Sequence, residues 1–353
     1  MNQRRTLLSI LGLVVLVWLV AHQFRSSPEW KDLNWATFWA ATRAARGRFI
    51  LLAIGIEYGG YLLRALRWRV LMGGEARFWT ILKGTLLGFS GVALLGRPGE
   101  LIRPYYIARR RGTTLPSQLA IWVLERVLDI SAVILLVGID LAVNPSVKAL
   151  AREGDRDYYA LIHRGGLFLG AVIVSLLVLL VLFNRYAAPV AACVRNLRGI
   201  SLGAATRLER FIHTLASGMN GLTRLPTLLF AILLTVLMWM GVALSLLYIV
   251  RSYPNMLPGF SFAEAVLLMG FTLAGSIVQL PAIGGGVQVL TVLGLTEVFG
   301  ADAAPATSAA LLIWLVLFYA IVPFGVYIAA REGVSWRKLE AVAASPLAAQ
   351  GEK

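Results

Sequence analysis

Cysteine and histidine are scarce in this chain. Cys193 is the only cysteine among 353 residues, and the three histidines, His22, His163 and His213, lie far apart in the sequence. A single thiol excludes an intrachain disulfide and a thiolate metal cluster. The chain also lacks a Gly-x-x-x-x-Gly-Lys-Ser/Thr loop, which argues against an intrinsic ATPase. We therefore expect no metal and no cofactor.

Charged residues are also few. They make up 14% of the chain against 58% hydrophobic residues, and the mean hydropathy is +0.75. This composition is typical of a polytopic membrane protein without a sizeable soluble domain. Apolar runs of spanning or near-spanning length cover residues 7–21, 49–71, 81–95, 119–143, 167–183, 225–250, 262–280, 287–299 and 306–330. No small-residue cleavage site follows the first run, so we expect a retained anchor helix rather than a signal peptide.

Acidic residues are the scarcer charge, with 18 against 33 Lys and Arg, for a net charge of +15. Segment 67–111 carries nine basic residues against two acidic ones, and segment 185–224 carries six against one, whereas 140–164 has four of each sign. By the positive-inside rule the first two segments are cytoplasmic and the third is external. The excess of positive charge therefore indicates how the chain is oriented in the membrane rather than nucleic-acid binding. It predicts a multi-pass cell-membrane protein with both termini in the cytoplasm.

This charge distribution predicts a topology. Segment 81–111 would enter the membrane from the cytoplasm, turn at 96–100 and leave on the same side. Segment 262–299 would form a second hairpin, entered from outside, with its tip at 279–288. We expect an all-α fold of about six full crossings and two oppositely oriented re-entrant hairpins, about 79–111 and 262–299, in pseudo-inverted halves. Interrupted apolar segments in both halves point to a transporter site near the midplane.

Three divisions of the chain follow. Residues 1–48 are predicted to hold the anchor helix and an interfacial segment with Trp30, Trp35 and Trp39 as anchors, although its basic residues leave its orientation open. Residues 49–330 form the membrane domain, and 331–353 form a short polar tail. Within the domain, segment 187–221 is amphipathic, and is either an interfacial helix pair touching anionic lipid or a connecting loop.

Ionisable side chains inside a bilayer persist where they line a polar cavity or pair with one another. Eight lie within the predicted bilayer, four of each sign: Glu57, Arg64, Arg97, Glu100, Arg103, Glu125, Arg126 and Asp129. Arg97 and Arg103 flank the helix break, and we expect them to hold a phosphate, since a guanidinium makes bidentate bonds to it. Glu100, Glu125 and Asp129 would orient them in the empty groove. The alternative is that these pairs only lock helices together.

Two further features keep alternatives open. Glu57 and Arg64 share one helix face, about two turns apart, and Arg64 could instead extend towards the cytoplasm. Gln279 and Gln288 flank Pro281 and three glycines, and a helix starting after Gly286 would direct its positive end at an anionic headgroup. A simple helix-breaking turn explains the same residues. Glu297 either lines this cavity or ends its helix near the surface.

Several short motifs carry a resemblance. Residues 96–100 read Gly-Arg-Pro-Gly-Glu and precede Arg103-Pro104, 125–129 read Glu-Arg-Val-Leu-Asp, and 281–284 read Pro-Ala-Ile-Gly. In this order, with an earlier Arg64, Arg67 and Trp68, they resemble the flippase-like membrane domain of the lysylphosphatidylglycerol synthase family, over about residues 49–330. The residues matching the family pattern are Arg97, Gly99, Glu100, Arg103, Glu125, Arg126, Asp129, Pro281 and Gly284. The resemblance implies a membrane protein that moves lipids with polar headgroups between leaflets.

We therefore expect a flippase-like transporter for an anionic phospholipid or a lipid-linked glycan. The expected headgroup-binding residues are Arg97, Gly99, Glu100, Arg103, Arg126, Gln279, Gly284 and Gln288. The expected charge partners or coupling residues are Glu57, Arg64, Glu125 and Asp129. The driving force stays open between passive exchange, removal of the lipid by an enzyme, and an ion or proton gradient, with Glu100 or Asp129 as proton carriers.

The competing hypothesis is a membrane-embedded enzyme, or an accessory subunit, acting on lipid headgroups or polyprenyl phosphate. Glu125 and Asp129 could bind a divalent ion, but Arg126 between them favours an ion pair. About twenty residues follow the last apolar run, so we expect no soluble aminoacyl-transferase domain and no catalytic residue. The second hairpin also departs from the family in its three consecutive glycines. The candidate protein partners are a second copy of the chain and enzymes of envelope biosynthesis.

Overall fold

The computed structural model describes residues 34–74, 76–143, 225–277, 279–280 and 284–332, and the isolated helical positions Gly170, Ala171, Ser175 and Tyr186. The predicted runs 7–21 and 167–183, the amphipathic segment 187–221 and most of the tail 331–353 lie outside these residues. Within them, the backbone is helical apart from turns and one pair of two-residue strands.

Ten α-helices are found in the described ranges: α1 Trp35–Ala44, α2 Gly47–Leu71, α3 Phe78–Leu95, α4 Ile102–Arg111, α5 Leu115–Val143, α6 Leu225–Ser252, α7 Phe262–Gly275, α8 Gly286–Leu293, α9 Ala303–Trp314 and α10 Val322–Arg331. A 3₁₀ turn, Arg97–Leu101, joins α3 to α4, and π-helical turns follow α8 and α9 at Gly294–Val298 and Leu315–Tyr319. Strands β1 Gln279–Leu280 and β2 Gly284–Gly285 pair between α7 and α8.

Four described helices are long and apolar enough to cross a membrane: Gly47–Leu71, Phe78–Leu95, Leu225–Ser252 and Ala303–Arg331. Helix α5 has 29 residues, or about 44 Å, and carries Glu125, Arg126 and Asp129 near its middle. The prediction of an all-α membrane protein with several crossings is confirmed. The number of about six crossings stays a prediction, because runs 7–21 and 167–183 are outside the described residues.

The outer face of α6 shows what these helices present to their surroundings. Leu225, Leu229, Leu233 and Leu237 recur every four residues and are exposed by 65%, 56%, 51% and 44%. Residues at this spacing lie on one helix face. The opposite face packs against α2 and α7 in a hydrophobic core. A helix that is apolar on both its buried and its exposed face is typical of a membrane environment.

The first hairpin, Phe78–Arg111, is held together by glycines on α3. A Cβ at Gly88 would lie 2.6 Å from Cβ of Arg103, and a Cβ at Gly99 would lie 2.2 Å from the carbonyl carbon of Gly91. These approaches are too close for any side chain. Gly96 ends α3 with a φ of 71°, which a residue with a Cβ rarely adopts. The predicted break at 96–100 is therefore present, as a tight turn between two antiparallel helices.

The second hairpin, residues 262–298, repeats this design. A Cβ at Gly275 would lie 2.2 Å from the carbonyl oxygen of Gly286, and the hydroxyls of Thr272 and Thr291 lie 3.0 Å apart across the two helices. Its tip is the strand pair in which Gln279 faces Gly285. The predicted run 262–280 is shorter as a helix, because α7 ends at Gly275 and the chain turns there.

The two hairpins open towards opposite ends of the helix bundle. Glu332, just after α10, accepts from Lys83 at 2.6 Å and from Arg110, so the base of the first hairpin lies beside the end of the last span. At the other end, the Arg46 amide donates to the Ser252 carbonyl at 2.8 Å, which places the start of α2 beside the end of α6. The second hairpin begins from this end, where the rings of Phe260 and Phe299 meet at 5.3 Å.

Helix α1 covers the end of the bundle at which α2 begins and α6 ends. The hydroxyls of Thr42 and Ser308 lie 2.7 Å apart and join α1 to α9. Trp35 and Trp39 on α1 are exposed by 66% and 54%. Part of this segment is thus helical, while its place at a membrane interface stays a prediction and Trp30 lies outside the described residues.

Candidate functional site

Arg67 of α2 is the centre of a buried ion-pair network. Its Nη2 lies 2.6 Å from Oε1 of Glu125, and its Nη1 lies 2.6 Å from Oδ1 of Asp129. Nη1 also donates to the Thr235 hydroxyl of α6 at 2.8 Å. The side chains of Arg67 and Glu125 are each only 1% exposed. One guanidinium therefore pairs with two carboxylates on successive turns of α5 and ties three helices together.

Arg103, at the start of α4, pairs with the same carboxylate. Its Nη1 donates to both oxygens of Glu125 at 3.0 Å, and its Nη2 donates to the Arg64 carbonyl at 3.0 Å. The guanidinium also lies over the ring of Trp68, 4.0 Å from its centroid. Arg103 is 4% exposed. The residue expected to hold a headgroup is thus enclosed, with a carboxylate, a carbonyl and an aromatic face around it.

Arg126 lies at the edge of this network. Its Nη2 is 3.2 Å from Oδ2 of Asp129, its Nη1 is 4.0 Å from Oε2 of Glu100, and its side chain is 35% exposed. Glu100, in the turn of the first hairpin, also accepts from the indole of Trp122 at 3.2 Å. Arg126 and Glu100 therefore continue the buried network towards the tip of the first hairpin.

Arg97 completes the chain of charges and is its most exposed member, at 50%. Its Nη1 donates to Glu100 at 2.9 Å, and its Nη2 donates to the Ser276 carbonyl at 2.7 Å. Ser276 directly follows α7, so this bond joins the tips of the two hairpins. The network in total contains four arginines and three carboxylates, which leaves one positive charge in excess. Its exposed side chains are Arg97 and Arg126.

Glu57 and Arg64 lie apart from these pairs. They are buried on α2, with 3% and 8% of each residue exposed. Among the described residues, Glu57 forms no ion pair within 4.0 Å. The guanidinium of Arg64 lies over the rings of Tyr61 and Phe89, at 5.3 and 5.0 Å. Arg64 thus points into the bundle, and the alternative of an arginine extended towards the cytoplasm is wrong.

The tip of the second hairpin contributes backbone rather than charge. The Gln288 side-chain oxygen accepts from the Gly285 amide at 2.7 Å and so closes the start of α8, where Gly285 has a φ of 118°. Gly284 lies in the strand pair with Leu280, and the side chain of Gln279 is outside the described residues. Within the described ranges, the Ser276 carbonyl of this hairpin accepts from Arg97 of the charge network. A headgroup role for Gln279, Gly284 and Gln288 stays a prediction.

Arg67 is the centre of the network, although it was not among the eight ionisable residues expected within the bilayer. A usable signal was present, because Arg64 and Arg67 are three residues apart on one apolar helix and share a face. Trp122, Thr235 and Trp239 were also missed. The Trp239 indole donates to Asp129 at 3.2 Å, but a tryptophan in an apolar run gives no sign of such a bond.

The carboxylates offer little room for a metal ion. Within the described residues, no group of three His, Cys, Asp or Glu side chains is arranged to hold one. Glu125 and Asp129, the pair weighed for a divalent ion, each contact Arg67 at 2.6 Å. A metal ion at these oxygens would have to displace a buried guanidinium.

Apolar helices of spanning length, with ion pairs buried between them, define a multi-pass membrane protein. The chain belongs to the family described as the lysylphosphatidylglycerol synthase TM region, which matches residues 6–325 of 353. Comparison with curated proteins found no match, and comparison with solved structures found none either.

Proposed function

We propose that this protein moves an anionic or glycan-linked polar lipid between membrane leaflets, binding the headgroup phosphate where the two hairpin tips meet. The observation that carries the proposal is the excess positive charge of the network, presented by Arg97 and Arg126 at this junction. Both guanidiniums share Glu100 as a partner. A headgroup phosphate offers the same bidentate acceptor geometry, so it can take the place of that carboxylate.

Element lengths support a junction inside the membrane. Helix α4 has 10 residues, or about 15 Å, and α7 has 14 residues, or about 21 Å, against a hydrocarbon core of about 30 Å. Neither helix is long enough to cross, whereas α3, with 18 residues or about 27 Å, comes close to the full thickness. In the re-entrant arrangement we propose, each hairpin enters from its own side and turns within the bilayer. Non-helical backbone at such depth requires surrounding protein or a water-filled cavity, which a lipid headgroup could then use.

The buried pairs have a supporting part in this proposal. Arg67 and Arg103 hold Glu125 from two sides, and this fixes α5 beside the first hairpin. Arg126, on the next residue of α5, is thereby kept within reach of Glu100 and Arg97. We therefore assign the headgroup contact to Arg97 and Arg126, and the positioning of the site to Arg67 and Arg103. Ionisable residues inside a membrane are costly and usually functional, which is consistent with a binding or positioning role for each of these arginines.

The test uses purified protein in liposomes that contain lipids with a fluorescent headgroup, and measures how fast outer-leaflet label becomes accessible or is lost. Wild type is compared with Arg97→Ala and Arg126→Ala, with Arg109→Ala as control because this exposed arginine on α4 is outside the network. Loss of one charged hydrogen bond of about 1.5 kcal/mol predicts roughly tenfold slower movement for each network variant and no change for the control.

Two results would contradict the proposal. One is that no lipid class moves faster with wild type than in empty liposomes, and the other is that both network variants match wild type. Chemical conversion of a lipid donor without any exchange between leaflets would favour the alternative of a membrane-embedded enzyme or an accessory subunit of one. Product analysis of the same liposomes separates these outcomes.

A further inference from the structure

Glu57 differs from the other three carboxylates of the predicted intramembrane set. Glu100, Glu125 and Asp129 each lie within 4.0 Å of two or more arginine side chains. Glu57 is 3% exposed, has no such partner in the part of the chain that the structure describes, and its Oε1 accepts no hydrogen bond there. A proton on any of the three paired carboxylates would break a close ion pair. A proton on Glu57 would break none among the described residues.

Two of the helices that pack against α2 carry no charge along their membrane-spanning parts. Helix α6 has no charged residue between positions 225 and 250, and the last span has none between 303 and 330. On α6, the Ser245 hydroxyl interacts with the Glu57 carboxylate. The same hydroxyl lies 3.3 Å from the Ala53 carbonyl, so an ionised Glu57 competes with that carbonyl for its one hydrogen. A protonated carboxyl can instead donate to the hydroxyl oxygen.

Two tyrosines and an arginine are the titratable groups of α2 around Glu57. Tyr58 and Tyr61 are its neighbours on α2, and Arg64 lies two turns on, about 10.5 Å along the axis. Tyr319 of the last span and Tyr248 of α6 make other contacts, to the Ala93 carbonyl and the Phe49 ring. Nη1 of Arg64 is buried without a hydrogen-bond partner. An ionised Glu57 and Arg64 are therefore complementary groups on one helix face, each with an unused buried atom.

The two tyrosines connect this site to the interruption in the last span. The Tyr58 hydroxyl donates to the Ala320 carbonyl at 2.5 Å, and the Tyr61 hydroxyl donates to the Leu317 carbonyl at 3.3 Å. Both acceptors lie at the π-helical turn Leu315–Tyr319 and its end, where the regular helix hydrogen bonds are interrupted. The far end of this span contacts the base of the first hairpin through Glu332.

We propose that Glu57 is the site that binds and releases a proton to couple lipid movement to a proton gradient. The proposal rests on the proposed function, since it names what drives that movement. Glu57 takes up one proton from one side of the membrane as a neutral carboxyl and releases it to the other side as a carboxylate. In the ionised state it attracts Arg64 away from the rings of Phe89 and Tyr61, and so alters the contacts of α2 with the last span.

The experiment compares wild type with Glu57→Gln, which keeps the size and burial of the side chain but cannot exchange the proton. Labelled-lipid movement is measured in liposomes with and without an imposed pH gradient, and proton entry is followed with a pH dye inside the vesicles. Glu297→Gln is the matched control, because Glu297 is an exposed glutamate in the turn after α8. A second readout is the infrared band of a protonated buried carboxylic acid as pH is varied.

The expected result is that the gradient changes the rate several-fold in wild type and Glu297→Gln, while Glu57→Gln moves lipid at one rate with or without it. Wild type should also show a carboxylic-acid band that Glu57→Gln lacks. Four results would each overturn the coupling role. Two concern the pH gradient: an equal response in Glu57→Gln and wild type, or no response in wild type. The other two are a response to a sodium gradient only and an unchanged infrared band in Glu57→Gln. Absence of lipid movement in every protein would instead overturn the proposed function, and the infrared comparison would still decide whether Glu57 binds a proton.

Discussion

Arg67 determines the stability of the site because two buried carboxylates depend on it. Replacing Arg67 by Met would leave Glu125 paired with Arg103 and, at 4.0 Å, with Arg126. Asp129 would keep one arginine partner among the described residues, Arg126. Breaking a buried ion pair by removing one partner costs about 3–5 kcal/mol. We expect Arg67→Met to lower the thermal unfolding midpoint in detergent strongly. The exposed Arg109→Ala should stay within about 0.5 kcal/mol of wild type, and equal midpoints for the two variants would refute the central role of Arg67.

Glu100 lies between the two most exposed arginines of the network and competes with a bound anion. Glu100→Gln removes the carboxylate that Arg97 and Arg126 share, so both guanidiniums become more available to a headgroup phosphate. A partly exposed pair of this kind contributes up to about 1 kcal/mol, which predicts up to roughly fivefold tighter binding of an anionic lipid. Lipid binding measured by native mass spectrometry checks this, with Glu297→Gln as control. Weaker binding by Glu100→Gln would show that Glu100 itself contacts the headgroup.

The hairpins depend on glycine at positions where two backbones touch. An added methyl at Gly99 or Gly275 would lie 2.2 Å from backbone atoms of the opposite segment. Neither backbone can move aside without opening the hairpin, and overpacking of this kind costs about 1–3 kcal/mol. We expect Gly99→Ala and Gly275→Ala to lower the unfolding midpoint. Gly55→Ala is the matched control, because nothing lies within 4 Å of its added methyl, and it should leave the midpoint unchanged or slightly higher.

Hairpin positions were predictable because glycine and proline act locally. Gly96 and Pro98 interrupt an apolar run, and the structure turns there; the same is true of the glycines near 284–286. The exact helix ends were less predictable. Helix α3 begins at Phe78 rather than 81, and α7 stops at Gly275 rather than 280, since the close contact between Gly275 and Gly286 sets the turn. A contact between residues eleven positions apart leaves no trace in local hydropathy.

Orientation of the whole chain can be tested with single cysteines. In a Cys193→Ser background, Thr113→Cys lies in the loop between α4 and α5, and Pro254→Cys lies in the loop after α6; both positions are exposed. The charge distribution predicts that Thr113 is cytoplasmic and Pro254 external. A membrane-impermeant thiol reagent applied to intact cells should therefore label only the second. Labelling of both positions, or of Thr113 alone, would overturn the predicted topology and with it the opposite entry of the two hairpins.

The sequence by itself determined the membrane class, the helix interruptions in both halves and the identity of most of the ionisable side chains in the network. These follow from hydropathy, glycine, proline and charge, which are properties of short stretches. Only the tertiary structure decided which charges pair. Arg67 and Asp129 are 62 residues apart, and Arg97 and Ser276 are 179 apart, so their contacts exist only after the helices pack. Packing placed Arg67 and Arg103 against buried carboxylates and left the excess positive charge at Arg97 and Arg126. A charge buried in an ion pair is held by its partner, whereas a more exposed one stays available for a ligand.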